Sequence, residues 1–303
     1  MQRRSFIKST ALTLGALAFL TKDTLASFLN DPAYNIKMLT NDIGVFTERG
    51  GTILFMLGKK GIVVVDAQFP DTAQHCIDEI KKKSKEPFLV LINTHHHGDH
   101  TSGNIAFKGL VANVLAHTNS KINQQAAAVK NKNEDKQLYP DQTYGSVWSA
   151  KYSKTPVTLR YFGRGHTNGD SFVHFEKANI VHAGDLVFNR RHPFVDRTAG
   201  ANMKEWISTL EQATTFFKDN TTYVCGHAGT GYDTVLKKAD VLAFRDYLQN
   251  VLAVTEKSMA SGISKEQFLK YVTNIPGSPE WKGDGIERPL EAAWDELTEL
   301  KKS

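Results

Sequence analysis

The sequence predicts an α/β protein built from two mixed β-sheets packed together, with helices outside. Three observations lead there. Short β-branched and apolar runs come in two groups, residues 44–116 and residues 157–225, and each group is followed by helical patterns. Strand and helix do not alternate regularly enough for a doubly wound parallel sheet. No Gly/Pro/Ser-rich linker divides residues 27–303, so that span reads as one domain.

In chain order, Gly44 to Thr47, Thr52 to Leu57 and Ile62 to Val65 read as strands separated by turns at Arg49-Gly50-Gly51 and Gly58 to Gly61. Asp66 closes the third. Asp71 to Ser84 reads as a helix, with Cys76, Ile77 and Ile80 as its apolar stripe and Lys81 to Lys83 near its C-terminus, where cations suit the helix dipole. Phe88 to Ile92 is an apolar strand. Gly103 to Lys108 reads as a short helix, Val111 to Ala116 as a strand and Asn119 to Lys130 as a helix; residues 131–153 read as a surface loop. Strands follow at Val157 to Phe162, Ser171 to Phe175 and Asn179 to His182. Met203 to Phe217 is amphipathic, with Trp206, Ile207, Leu210 and Ala213 on one side. Tyr223 to Cys225 is a short strand. Helical patterns cover Thr234 to Lys257, Lys265 to Val272 and Pro289 to Lys302.

The first 26 residues read as a separate segment. Arg3-Arg4-Ser5-Phe6-Ile7-Lys8 is basic, and the apolar run Ala11 to Leu20 is too short to span a bilayer. Thr24-Leu25-Ala26 offers small residues suited to cleavage after Ala26. The Arg-Arg-x-Phe-x-Lys pattern resembles a twin-arginine export signal. Residues 1–26 are therefore expected to be a signal peptide, leaving a periplasmic or secreted protein with no stable membrane anchor. Of the formal net charge of +5, the first 26 residues carry +3. The rest is too nearly neutral to argue for a nucleic-acid partner. Two cysteines, Cys76 and Cys225, make no disulfide framework and read as buried thiols.

The densest chemical signal follows the strand Phe88 to Ile92: Thr94-His95-His96-His97-Gly98-Asp99-His100 places four histidines and an aspartate within six residues. A strand that ends in imidazoles and a carboxylate is suited to a transition metal. His95 and His97, two apart, can point the same way while His96 points elsewhere. Asp99 and His100 lie one turn further on and can face a second point. Such a motif offers two ligand pairs, and each metal needs further donors. Three candidates stand at strand ends beside glycine: His166 in Gly165-His166-Thr167-Asn168-Gly169-Asp170, Asp185 in Ala183-Gly184-Asp185, and His227 in Gly226-His227-Ala228-Gly229. Asp170 either orients a ligand or caps a turn. His75, His117, His174 and His192 are left unassigned, and His96 and His182 are read as pointing away from the site.

At these residues the sequence resembles the metallo-β-lactamase superfamily, in order over about residues 40–235. The resemblance implies a four-layer αββα sandwich with the site at one edge. It implies His95, His97 and His166 on one metal, Asp99, His100 and His227 on the second, Asp185 bridging, and Asp66 orienting ligands rather than binding. Two Zn2+ ions suit the His-dominated set, and the carboxylates also admit iron or manganese. Metals about 3.5–4 Å apart can hold a bridging hydroxide at neutral pH, which would attack a carbonyl carbon in a lactam, lactone, ester or thioester of a small molecule, with Asp99 as the catalytic acid–base group. Three alternatives stand beside this reading. A β-lactamase proper is one, although those exported enzymes usually lack an aspartate at the position matching Asp185. A persulfide dioxygenase with one iron is the second, and a non-catalytic metal-binding protein the third. The segment Phe188 to Arg197 brings Arg190, Arg191 and Arg197 after Asp185; each suits either a substrate carboxylate or solvent.

Overall fold

The first half of the chain lays down a seven-stranded sheet: β1 (Asn35–Met38), β2 (Ile43–Thr47), β3 (Ile53–Gly58), β4 (Gly61–Val65), β5 (Phe88–Ile92), β6 (Val111–His117) and β7 (Gln142–Tyr144), neighbours in that order. The computed structural model describes residues 34–300, so the expected signal peptide lies outside the described residues. Strands β2 to β4 pair antiparallel through tight turns. From β4 to β7 the pairing is parallel, and parallel neighbours need long crossovers. Helix α1 (Pro70–Lys83) makes the first, starting on Pro70, where a missing N–H costs nothing. A short helix α2 (Gly98–Thr101) and a 3-10 turn (Ser102–Phe107) follow β5, and α3 (Thr118–Asn131) lies between β6 and β7.

The second half forms a six-stranded sheet in the order β13-β12-β11-β10-β9-β8. Its strands are β8 (Val147–Tyr152), β9 (Thr155–Arg160), β10 (Phe172–Phe175), β11 (Ile180–Asn189), β12 (Thr222–Ala228) and β13 (Val235–Leu236). Only β11 and β12 run parallel, and α4 (Met203–Phe216) carries the crossover between them. Helices α5 (Lys238–Ala260), α6 (Lys265–Tyr271) and α7 (Glu287–Leu300) complete the chain.

Alternate residues of the two sheets meet in a central core: Val63, Val65, Val90 and Ile92 from the first, Leu159, Val173, Phe175 and Val224 from the second. The other face of the second sheet packs Phe172, Val181, Tyr223 and Cys225 against Trp206 and Leu210 of α4, Phe244 and Val251 of α5, and Leu290 of α7. On the first sheet β4 is buried on both faces, which is why Gly-Ile-Val-Val-Val reads as an unbroken apolar run. The layers are helix, sheet, sheet, helix, as expected.

Four local expectations need correction. Residues 131–153, read as a loop, contain β7 and β8. β8 is a half-exposed edge strand in which Trp148, Ala150 and Tyr152 alternate with the exposed Val147, Ser149 and Lys151, a short period-2 pattern set inside a polar stretch. It joins β9 through a two-residue turn at Ser153-Lys154, both left-handed (φ 49° and 70°), without the Asn or Gly that marks such turns. The stretch from Thr234 does not start as helix, because Val235-Leu236 pairs with Tyr223-Val224. The Gly103 to Lys108 helix is the 3-10 turn instead, and helix starts earlier, at Gly98 itself. Asp185 and His227 lie inside β11 and β12, not beyond their ends. β11 passes through two register shifts, at His182/Gly184 and Gly184/Phe188, with Gly184 left-handed at φ 51°. A bulge of this kind re-aims a side chain without ending the strand.

Lys154 bears a left-handed backbone conformation that costs an L-residue about 1–2 kcal/mol. Lys154→Gly is expected to raise stability by about 0.5–1 kcal/mol after the greater chain entropy of glycine is set against that relief. A denaturant titration showing a higher midpoint at unchanged slope checks it.

Candidate metal centre

Strand ends and the interior of β11 and β12 build one floor. β4 delivers Asp66, β5 delivers His95 to His100, the β9–β10 loop delivers His166, and the parallel pair β11 and β12 delivers Asp185 and His227. All seven residues singled out as metal-ligating in the sequence are brought together there. His95 Nε2 lies 3.1 Å and His166 Nε2 2.8 Å from His97 Nδ1. His227 Nε2 lies 3.0 Å from Asp99 Oδ2, and His100 Nε2 lies 3.0 Å from Asp185 Oδ1 and 3.8 Å from Asp99 Oδ2. The other oxygen of Asp185, Oδ2, sits 3.4 Å from His227, 3.5 Å from His166 and 4.0 Å from His95. One carboxylate thus reaches both groups.

The far side of each ring is occupied, and that fixes what faces inward. His166 Nδ1 donates to the Phe194 carbonyl at 2.8 Å. His97 Nε2 donates to Asp196 Oδ2 at 2.9 Å. The Thr94 hydroxyl donates to Asp66 Oδ2 at 2.7 Å and so accepts from His95 Nδ1 at 3.1 Å. Neutral rings held this way turn three bare lone pairs towards one point. Such a convergence needs a positive charge between the nitrogens, and a metal ion satisfies all three at once. His100 Nδ1 donates to Asp66 Oδ2 at 2.7 Å. Its Nε2 faces the buried Asp185 Oδ1 at 3.0 Å. The residues present therefore fit a metal centre.

The electrostatics separate two groups of histidines. Burial, with His100 and the other rings nearby, holds His95 well below the usual imidazole range. Burial and His97 press His166 down to about 3. Burial also opposes a charge on His100, but Asp185, Asp99 and Asp66 outweigh it and hold the ring well above its usual range. The same contest, won by Asp185 and Asp99, pushes His227 up to about 9. Against the cost of burial, His100 and His227 hold Asp99 and Asp185 well below the usual carboxylate range.

Glycines let these groups approach. A Cβ on Gly226 would stand 1.9 Å from Asp185 Oδ1, and one on Gly51 would stand 2.2 Å from the His100 ring. Asp66 is fully buried, and besides His100 it takes the Thr94 N–H at 2.7 Å. Asp170 accepts from Thr167 N–H and hydroxyl and so caps a turn, with burial raising it to about 7. His182 is spent on the Thr52 carbonyl and the Gly184 N–H. His96 turns from the floor towards Asp196, 3.6 Å away.

The floor opens into a cavity of about 320 Å3 walled by Phe188, His192 and Phe194 and rimmed by Arg191 and Arg288. Sequence reasoning missed Asp196, 99 positions from the His97 it holds, and Arg288. An acid amid basic and apolar residues was the only trace of the first, and no spacing pointed to the second. Both cysteines are free and buried. Among the described residues no helix is long and apolar enough to cross a membrane.

Comparison with known proteins finds the same family and fold. The family model of the metallo-beta-lactamase superfamily matches residues 46–227, more than half of the chain. The metallo-beta-lactamase type 2 of Bacillus sp. (strain 170) is 26% identical over 208 residues, spanning 65% of this chain and 77% of that protein. Among solved structures, the metallo-beta-lactamase from Pontibacter korlensis superposes with a TM-score of 0.60 at 20% identity, covering 72% of this chain and 99% of its own. The stereoselective inverting sec-alkylsulfatase Pisa1 from Pseudomonas sp. gives 0.70 at 12% identity, covering 86% of this chain and 50% of that one. At such identities the structural matches speak for the fold.

Two outcomes are expected. Asp66→Ala leaves the buried His100 Nδ1–H and Thr94 N–H without an acceptor, so stability should fall by about 1–3 kcal/mol or more and metal content should drop, read by thermal melting and elemental analysis. In the metal-free protein His227 and His100 carry protons at pH 7 that a metal must displace. Apparent Zn2+ affinity should therefore rise with pH through about 9, where His227 loses its proton unaided, and keep rising while His100 still holds one, with proton release measurable by calorimetry in buffers of different ionisation enthalpy.

Proposed function

We propose that this chain, which belongs to the metallo-beta-lactamase superfamily, is an exported, dinuclear metal-dependent hydrolase that opens a lactam, lactone, ester or thioester bond in a small molecule. The observation that carries this reading is the pair of donor clusters, His95–His97–His166 and Asp99–His100–His227, meeting at Asp185 on the floor of one cavity. In this reading each cluster holds one ion and Asp185 lies between them. Zinc suits the imidazole-rich set; the carboxylates also admit iron or manganese. Bound there, two divalent cations supply a Lewis acid and a water that ionises near neutral pH. Export rests on the Arg3-Arg4 segment.

The remaining work falls to side chains. Asp99 is a carboxylate at neutral pH, 32% exposed at the floor, with Oδ2 tied to His227. Its other oxygen takes the proton of the attacking water and returns it to the leaving group. Asp196, the Phe194 carbonyl and Asp66 keep the imidazoles turned inward. Phe188 and Phe194 supply apolar walls that limit water around the reacting bond. Cys225 is no competing nucleophile. Its thiol is buried, donates to the His227 carbonyl at 3.2 Å, and is pushed by burial far above the range in which a thiolate forms. Relatives named as metallo-beta-lactamases put lactams first among substrates to try, and Asp185 is the reason to extend the panel to lactones, esters and thioesters.

Residues 27–303, purified and metal-loaded, should contain two ions per chain and hydrolyse at least one member of that panel. Asp99→Ala should lower kcat/KM by about 10²- to 10⁴-fold, and Asp185→Ala should lower both rate and metal content. Full activity in both variants would overturn the dinuclear reading. A single iron with oxygen consumption on a persulfide would replace it with the dioxygenase, and zinc without turnover on any bond class would replace it with a binding protein.

A further inference from the structure

We infer that the outer wall of the metal centre carries a further, weaker divalent-cation site, formed by His96 and Asp196 behind the His97 ring; this rests on the reading of the floor as a metal centre. His96 is the member of the histidine cluster that takes no part in the floor. Its side chain is only 6% exposed, and Nδ1 is buried without a hydrogen-bond partner. Nε2 faces Asp196 Oδ2 at 3.6 Å, beyond hydrogen-bond reach. The residue is held instead by its backbone carbonyl, which accepts from the Thr101 hydroxyl at 3.1 Å. A buried imidazole left in this state costs free energy. Nδ1 lacks a partner in either tautomer, so what a ligand can change is the state of Nε2.

Asp196 is set to share such a ligand. Its Oδ1 accepts from the Thr198 hydroxyl at 2.6 Å and the Ala199 N–H at 3.0 Å, which fixes the carboxylate. Its Oδ2 accepts from His97 Nε2 at 2.9 Å and keeps another lone pair. The gap of 3.6 Å between His96 Nε2 and Asp196 Oδ2 has the size a metal needs. Bonds of about 2.1 Å to nitrogen and oxygen, meeting at a tetrahedral angle, put the two donor atoms about 3.4 Å apart. The remaining positions open to water in a cavity of about 490 Å3, which His96, His97 and Asp196 line together with Asn123 and Asn131. Lys130 of α3 lines the same cavity, and its charge opposes a cation there. With two protein donors and an ammonium nearby, this site fills after the floor. Asp196 links the two places. A cation on Oδ2 draws off the negative charge that supports the His97 N–H, and so weakens His97 Nδ1 as a ligand on the floor. Excess metal thereby restrains whatever the floor metal does.

Zinc titration followed by equilibrium dialysis and elemental analysis tests the site without any need for turnover. The wild type should take up one Zn2+ in a final step weaker than those that fill the floor. His96→Ala should weaken that step by about 10- to 100-fold and leave the tighter ions in place. His96→Cys, whose thiolate is itself a zinc ligand, should restore it. In protein labelled with 15N-histidine, the His96 Nε2 resonance should move in the final step and not before. Where turnover is found, zinc beyond the floor complement should lower kcat in the wild type and not in His96→Ala. A final step of equal strength in wild type and variant, or no ion beyond the floor complement, overturns the inference. Should His96→Ala not fold, His96→Phe, which keeps a ring in the buried space, carries the same comparison. The wild-type nitrogen spectrum decides independently, because a His96 resonance that stays still through the final step overturns the site. A floor that holds one ion instead of two changes the total but not the difference between wild type and variant, so the dinuclear reading can fail while this site stands.

Discussion

The cleft depends on one constraint: acceptors aimed at shared points must be held there against their own repulsion. The imidazole lone pairs of His95, His97 and His166, 2.8–3.1 Å apart, do not assemble by mutual attraction. The scaffold supplies the holding force from behind. Asp66 carries the most of it. Fully buried at the end of β4, its two oxygens take the Thr94 N–H, the Thr94 hydroxyl and His100 Nδ1. Through Thr94 it also sets His95. One carboxylate thereby orients a member of each donor cluster. Its own backbone is left-handed at φ 64°, a conformation aspartate tolerates better than most residues and one that persists when surrounding contacts over-determine it.

How much of this was legible in the sequence follows from how local each cause is. The cluster His95 to His100 could be read because its geometry is set within a few residues of one strand end. His166, Asp185 and His227 could be found because each sits beside a glycine in a short recognisable string, and Gly226 and Gly51 show the reason: any Cβ there would occupy the place of Asp185 or His100. Central strands such as β4 declared themselves through continuous apolar runs. What escaped was non-local or weakly patterned. β8 is an edge strand with half of its residues in solvent, and its alternation of Trp148, Ala150 and Tyr152 is short and set inside a polar stretch. β11 was cut short at His182 because Gly184 reads as a break, whereas in the sheet it is a bulge that keeps the strand going and turns Asp185 inward. Asp196 acts on a histidine 99 residues away, a relation that only the fold creates.

The C-terminal helices bear on the same constraint from outside. Glu296 of α7 is buried, accepts from Met203 and Lys204 N–H at the start of α4, and receives Arg197. It thus satisfies the exposed donors of one helix N-terminus while anchoring the segment that contains Asp196 and Phe194. That segment is what holds His97 and His166. The orientation of two rings on the floor is in this way tied to a helix well beyond residue 227, where the family match ends. The same helix sends Arg288 to the rim. Support for the His97 and His166 rings and contact with whatever enters the cavity therefore come from one element, exposed at Arg288 and buried at Glu296. The two residues stand about two turns apart along α7, Arg288 exposed in its first turn and Glu296 buried further along.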